Sequence, residues 1–494
     1  MVMTAGTRGI GLVMTFLLAA ILGPADFGLV AVGLIYVTFI RMLMEQGFGT
    51  ALIQRENLED EHLDSAFWLN FAWSIALMGL SFASAGWWAH VNDMPRLERV
   101  IQVLSLMIFF EGLGVVQQAL MQRQLDYKRL AIRSNLAIVL GGATGVALAV
   151  AGAGVWALVA QQLVLEFTFA VTIWVLSTWR PKLRFSRRHA RELLGFSSSV
   201  FAANVAGFVS RRADALLMGI FFGPVVIGLY RFADRLVDVV LEVTMRPVGM
   251  VSLPVLSRLQ NDPEALRAAV ARCLRTTLLI SVPVLLLVLA CADEIVGVLG
   301  SKWDKSAIAL EFLCLVGIGK AIGFFAGPVL FAVGRPRFRA VMLWVLAAVS
   351  TLSVLGAGRL LRNSSADHQI LGMSGTRALL FLGVLVPVNL AIVSWTTGLR
   401  LRVLLPALPA PLLAGGSAVA VAFGLRQLGV SDRLPDVAAL IVVGGVSALT
   451  AAVVLLTLER DLRGQLLGLA RRTPRSVRFT AEAPLQAAPP STEA

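Results

Sequence analysis

Apolar stretches about as long as a bilayer is thick recur from one end of this chain to the other, with short polar turns between them. A helical span needs about 20 apolar residues, each rising about 1.5 Å, to cross a hydrocarbon core about 30 Å thick. About 14 segments meet that condition, near residues 3–22, 28–50, 65–90, 98–121, 134–151, 155–178, 197–221, 226–250, 276–299, 306–332, 339–357, 376–396, 406–425 and 436–457. A membrane barrel would instead show alternating segments of about 10 residues. The pattern predicts an all-α, polytopic integral membrane protein of about 14 transmembrane helices.

Composition agrees with this. The 494 residues are 57% hydrophobic and 15% charged, where a soluble chain carries about 25% charged residues. The net charge of +13 would suggest nucleic acid as the partner of a soluble protein. Here the basic residues lie in loops, where they set orientation and meet anionic lipids, so no nucleic-acid partner is expected. Loops after even-numbered spans, with the tail, hold about 26 Lys and Arg, and the other loops about 9. This bias places both termini in the cytoplasm. The most basic loop, Trp179 to Arg191, is the natural linker between two halves, and no cleavable signal peptide is expected.

Two halves are suggested by a repeat. LGPADFG at 22–28 matches FGPVVIG at 222–228, aligning Gly23, Pro24 and Gly28 with Gly223, Pro224 and Gly228. A Gly-Pro pair makes a short turn, and the later glycine permits close helix contact. LMQRQLDYKR at 120–129 similarly matches LFAVGRPRFR at 330–339. An even number of spans separates the copies, so the repeats are parallel, related by an axis along the membrane normal.

The eighth span carries Arg231, Asp234, Arg235, Asp238, Glu242 and Arg246 at helical spacing. Ionised side chains in a bilayer are expensive, so the stripe must line a wet cavity or form ion pairs among its own members. Arginine forks suit phosphate oxygens, which makes Arg231, Arg235, Arg211 and Arg212 candidate phosphate contacts. Asp214 accompanies them in the seventh span. Arg41 and Glu45 occupy the equivalent place in the second span. Arg8 lies near the middle of a first span that begins at Met1; either residues precede this start or Arg8 faces the cavity. Glu111 and Glu166 are isolated acids in the fourth and sixth spans, read as coupling-ion sites for Na+ or H+ or as acids satisfied by Gln117, Gln161 or Gln162.

Other chemistry is excluded or thin. No GxxxxGK[ST] phosphate loop is present, so the chain is not expected to hydrolyse nucleotide. The cysteines Cys273, Cys291 and Cys314 lack ligand spacing, and His62, His90, His189 and His368 are scattered, so no metal site, cofactor or catalytic residue is expected. Asp262-Pro263-Glu264 predicts the start of a short interfacial helix, and Trp303 an interface anchor.

Six stretches carry a family resemblance: LGPADFGLVA at 22–31, EQGFGTALIQRENLEDEHLDSAFWLN at 45–70, GVWALVAQQL at 154–163, RRADALLMGIFFGPVVIGLYRFADRL at 211–236, LPVLSRLQND at 253–262 and GRPRFR at 334–339. Together they resemble the polysaccharide-biosynthesis (O-antigen and colanic-acid exporter) branch of the multidrug/oligosaccharidyl-lipid/polysaccharide flippase superfamily. The resemblance implies two six-helix bundles with two further C-terminal helices, and a central cavity lined by the first, second, seventh and eighth spans. The expected division is a first bundle at 1–178, a basic linker at 179–194, a second bundle at 195–396, two added helices at 397–458 and a basic, then disordered, cytoplasmic tail at 459–494.

The resemblance also implies movement of an undecaprenyl-diphosphate-linked oligosaccharide across the bacterial inner membrane, upstream of a polysaccharide polymerase and its chain-length machinery. Arg212, Asp214, Tyr230 and Arg235 match polar positions of that family. The alternatives are a cation-coupled small-molecule exporter of the same superfamily, or a membrane polymerase or transferase using Arg362, Asp367 and His368 of the loop at 358–376.

Overall fold

The computed structural model describes residues 2–44, 58–189 and 216–459, with Gly49, Leu52, Ile53, Arg55 and Arg463 besides. Its α-helices of six or more residues are α1 (Val2–Ile21), α2 (Pro24–Met42), α3 (Asp60–Val91), α4 (Pro95–Leu104), α5 (Leu106–Gly112), α6 (Val115–Arg123), α7 (Tyr127–Val150), α8 (Val155–Leu176), α9 (Pro224–Arg258), α10 (Pro263–Ala290), α11 (Ala292–Gly297), α12 (Ser306–Gly323), α13 (Ala326–Ala332), α14 (Pro336–Leu361), α15 (Ala366–Leu379), α16 (Val386–Thr397), α17 (Pro409–Gln427) and α18 (Asp436–Leu458). No strand occurs among the described residues.

Among the described residues, eleven helical stretches are long and apolar enough to cross a membrane, or twelve with the bent pair Pro95–Gly112 and Val115–Arg123. The predicted first span is α1, and most of the predicted seventh lies outside the described residues. The 43° bend in the fourth span falls between Gly112 and Gly114. Backbone carbonyls released by such a break must find donors inside a membrane. Asn70 Nδ2 donates to the Gly112 carbonyl at 2.9 Å and Trp174 Nε1 to that of Leu113 at 2.9 Å.

The centre of the molecule is the crossing of α2 and α9. Gly23 and Gly223 stand in extended backbone before the prolines that open these helices. One turn later the two helices touch backbone to backbone. A Cβ on Gly28 would lie 1.7 Å from the Pro224 carbonyl oxygen, and one on Gly228 would lie 1.8 Å from that of Pro24. The contact is reciprocal, as expected where two copies of one motif meet across a two-fold. Only glycine permits this approach.

A second equivalence joins α6 to α13. Leu125 (φ 56°) and Gly334 (φ 71°) both turn left-handed after their helices. Asp126 N then donates to Met121 O at 2.9 Å, and Arg335 N to Leu330 O at 2.8 Å. The geometric partner of Leu125 is therefore Gly334, so the sequence pairing of these stretches was one residue out of register.

Two sequence expectations are corrected. Asp262 does cap a helix, accepting from the N–H groups of Glu264 (3.1 Å) and Ala265 (3.0 Å), but α10 runs unbroken to Ala290 and no separate interfacial helix forms. Trp303 is fully buried rather than interfacial. Its indole donates to Ala19 O at 2.8 Å and its ring packs between Phe27 (5.3 Å) and Phe232 (4.9 Å). A loop of the second half thus caps the first half beside the crossing, helped by Lys302 Nζ on Ile21 O at 3.0 Å.

The last two spans, α17 and α18, pack on α10. Arg426 holds Glu294 at 2.5 Å at one end, and Arg275 holds Glu459 at 2.5 Å at the other.

Alanine at Gly28 or Gly228 must force the crossing apart, so either variant should lose most of its monodisperse, detergent-solubilised yield. Alanine at Gly23 or Gly223, where a Cβ meets nothing within 4 Å, should leave yield and melting temperature nearly unchanged. Equal behaviour of the two pairs would refute the backbone contact.

Candidate functional site

Next to the crossing, α1, α2, α8 and α9 enclose a cavity of about 460 Å³. Arg41 and Glu166 lie in the wall from the first half, and Arg231 and Arg235 in the wall from the second. Gln161, Gln162, Thr15 and Thr38 add neutral polar surface, and Met14, Leu34, Phe27 and Phe232 apolar surface. Such a volume is typical of a site for a small ligand or headgroup.

In the first half, Arg41 ties three helices together. Its guanidinium binds Glu111 of α5 through Nε and Glu166 of α8 through Nη1, the latter at 2.9 Å. Glu111 and Glu166, which look isolated in the sequence, therefore share one cation. Arg133, held by Gln118 at 3.0 Å and lying 4.6 Å from the centre of the Phe169 ring, is within electrostatic reach of both acids.

In the second half the signs reverse. Acids on α9 meet cations from α12 and α15. Asp238 faces Lys320 at 3.3 Å; Asp234 is held by Arg231 at 2.8 Å and approached by Arg377 at 3.8 Å. Arg377 also donates to the buried Tyr230 hydroxyl. Glu111 and Lys320 stand the same number of residues before Leu125 and Gly334, the equivalent turns, so they occupy matching places with opposite charge. Glu242 pairs with Arg246 at 2.9 Å.

The stripe on α9 thus divides. Arg231 and Arg235 reach the cavity, while Asp234 and Asp238 serve ion pairs that bind the second half together. Of the ion pairs expected among the members of the stripe, Arg231–Asp234 and Glu242–Arg246 form, whereas Asp238, expected to pair with Arg235, pairs with Lys320 instead. The sequence reading missed Lys320 and Arg377. A lone cation inside an apolar span was the signal that marked them. Glu45, Arg211, Arg212 and Asp214 lie outside the described residues, as does the side chain of Arg8. Of the candidate enzyme loop, Asp367 pairs with Lys305 at 2.8 Å and His368 Nδ1 with Ser365 at 2.7 Å, contacts that fasten the start of α15.

A family model described as "Polysaccharide biosynthesis protein" matches residues 17–308. The succinoglycan biosynthesis transport protein ExoT of Rhizobium meliloti is 27% identical over 95% of this chain and 94% of its own length. The lipopolysaccharide biosynthesis protein WzxC of Escherichia coli is 27% identical over 66% of this chain and 67% of its own. Among solved structures, the lipid II flippase MurJ in an inward closed conformation superposes with a TM-score of 0.72 at 12% identity, over 94% of this chain and 99% of that one. An inward-facing MATE-family multidrug-resistance transporter of the MOP superfamily gives 0.60 at 14% identity, over 81% of this chain and 94% of that one. These structural matches establish the fold.

Removing one member of a buried ion network strands the others, at about 3–5 kcal/mol. Arg41→Ala should therefore lower the melting temperature of the purified protein sharply. Adding Glu111→Gln and Glu166→Gln to it should recover much of the loss. A single variant as stable as the native chain would mean the three side chains are not coupled.

Proposed function

The chain belongs to the polysaccharide biosynthesis protein family, and we propose that it serves there as a flippase. In this reading it carries an undecaprenyl-diphosphate-linked oligosaccharide repeat unit from the cytoplasmic to the periplasmic leaflet of a bacterial inner membrane, with both termini in the cytoplasm. The flipped unit then passes to a polymerase and its chain-length machinery. The observation that carries this reading is the arginine-walled cavity between the halves.

A lipid diphosphate needs a polar, cationic chamber for its headgroup, while its polyprenyl chain remains in the bilayer. Arg231 and Arg235 on one wall and Arg41 on the other supply forked donors for phosphate oxygens. The Gly28–Gly228 crossing and the Trp303 cap lie at the Gly-Pro ends of α2 and α9. The loop-charge bias assigns those ends to the periplasm, so the cavity is sealed on that side. Transport follows from rocking of two parallel bundles, residues 1–178 and 195–396, about the linker at 179–194. The added helices at 397–458 ride on the second bundle.

Energy enters through a coupling cation, Na+ or H+, at Glu111 and Glu166. Neutralising either acid weakens its hold on Arg41, which is then free to turn toward the diphosphate. The coupling ion and the substrate thus compete for the same guanidinium. The relatives named for surface-polysaccharide synthesis and for lipid flipping support the substrate class.

Cells lacking the protein should accumulate lipid-linked repeat units in the cytoplasmic leaflet, measured by leaflet-selective labelling. Accumulation in the periplasmic leaflet, or normal export, would overturn the flippase reading. Replacing Arg231 and Arg235 together with alanine should reduce export at least tenfold while the protein remains inserted; undiminished export would remove them from the headgroup site. Glu166→Gln should abolish dependence of export on the cation gradient, and an unchanged dependence would move the coupling site elsewhere.

A further inference from the structure

Two of the four histidines that are scattered in sequence, His62 and His189, meet in space. His62, in the first turn of α3, is buried (1% exposed) and its ring centre lies 4.0 Å from that of His189. His189 belongs to the segment that leaves the first half toward the second. That segment is strapped to the start of α3. Lys182 N donates to Asp64 Oδ1 at 2.9 Å, Ser186 N to Ser65 Oγ at 2.9 Å, and Trp68 Nε1 to Lys182 O at 2.8 Å. These bonds deliver the His189 ring to His62 by backbone placement rather than by a flexible side chain.

Glu59 completes the group. One ligand atom each from Glu59, His62 and His189 lie within 4.8 Å of one another. His189 Nε2 stands 4.0 Å from Glu59 Oε2, and Glu61 Oε2 lies 3.5 Å from the other ring nitrogen of His189. We propose that Glu59, His62 and His189 bind a divalent transition cation of the zinc class, fastening the interhalf linker to the first half. Two imidazoles and a carboxylate are a donor set for such an ion, with the fourth position left to water. Ligands at about 2.0–2.2 Å around a tetrahedral ion lie about 3.4 Å apart, so the observed spacing closes onto a cation with small side-chain shifts. Glu61 stands where it can accept the Nδ1–H of His189 and fix the tautomer that offers Nε2 to the ion.

A simpler role exists for part of the group. Glu59 and His62 form a reciprocal capping box, with Glu59 N donating to His62 Nδ1 at 3.3 Å. That box needs neither His189 nor Glu61, and it does not explain why a second imidazole from the linker lies against the first. The box and the ion also compete. With Nδ1 accepting, the neutral ring keeps its proton on Nε2. Metal at Nε2 requires that proton to move to Nδ1, which breaks the cap bond; metal at Nδ1 displaces the Glu59 N–H directly. Occupancy therefore trades a helix cap for a cross-link between α3 and the linker.

The test uses the full chain in detergent, without a polyhistidine tag, titrated with Co2+ and then Zn2+. Native protein should take up about one Co2+ with visible ligand-field absorption that Zn2+ displaces. Affinity should fall at least tenfold in His189→Ala, a variant that leaves the capping box intact. Zn2+ should also slow tryptic cleavage at Arg187 and Arg188 in the native chain and not in His189→Ala. Absence of saturable binding, or equal binding by His189→Ala, would overturn the site. Neither readout depends on transport, so a failure here leaves the flippase reading untouched.

Discussion

The structure depends on one contact in which two backbones meet without side chains between them. At the crossing of α2 and α9 each glycine rests against the carbonyl of the other helix's first proline. Helices inside a bilayer gain little from hiding apolar surface from one another, because lipid is equally apolar. They associate through close packing, which small residues allow. The crossing fixes the two halves against each other at one end, and the cavity opens beside it.

Charge is distributed by the same constraint. In a low-dielectric setting each ion needs a partner, and each half supplies its own. Arg41 holds two acids in the first half, and Lys320 and Arg377 address two acids in the second. The networks stitch together helices that the chain threads far apart. They also leave the cavity with three arginines and one acid in its walls, a composition suited to an anionic headgroup. The headgroup binding proposed for it would be in tension with stability, because Arg41 serves both the network and the cavity.

Outside this centre, polar contacts hold the peripheral pieces. Trp303 and Lys302 dock a loop of the second half on α1. Arg426 and Arg275 clamp the last two spans at opposite ends. At the Glu294 end, beyond the last residue of α10, burial pushes the carboxyl up, but the hydrogen bond and charge of Arg426, the backbone N–H of Glu294 and the Ser431 hydroxyl together outweigh it and the group sits below the usual range. Glu294 therefore remains ionised and keeps its clamp until the solution is well below neutral pH.

Hydropathy alone determined the helical class, because a bilayer demands about 20 apolar residues per span whatever the tertiary fold. The Gly-Pro repeat was legible for a similar reason: a turn followed by a close approach admits few residue types, and Gly28 and Gly228 have no substitutes. The charge of α9 announced a polar interior. Which charges face the cavity was not legible, since helical spacing puts Arg231, Asp234, Arg235 and Asp238 on one broad face. Lys320 arrives from a distant span to take Asp238, and Arg377 arrives to share Asp234 with Arg231, a division that no local pattern shows. Glu111 and Glu166 looked solitary because their partner, Arg41, is far away in the chain. Trp303 read as an interface anchor because sequence records that an indole is amphipathic, and not which carbonyl its N–H will reach. His62 and His189 met for the same reason: long-range proximity is decided by how the linker folds back, and no local pattern encodes it.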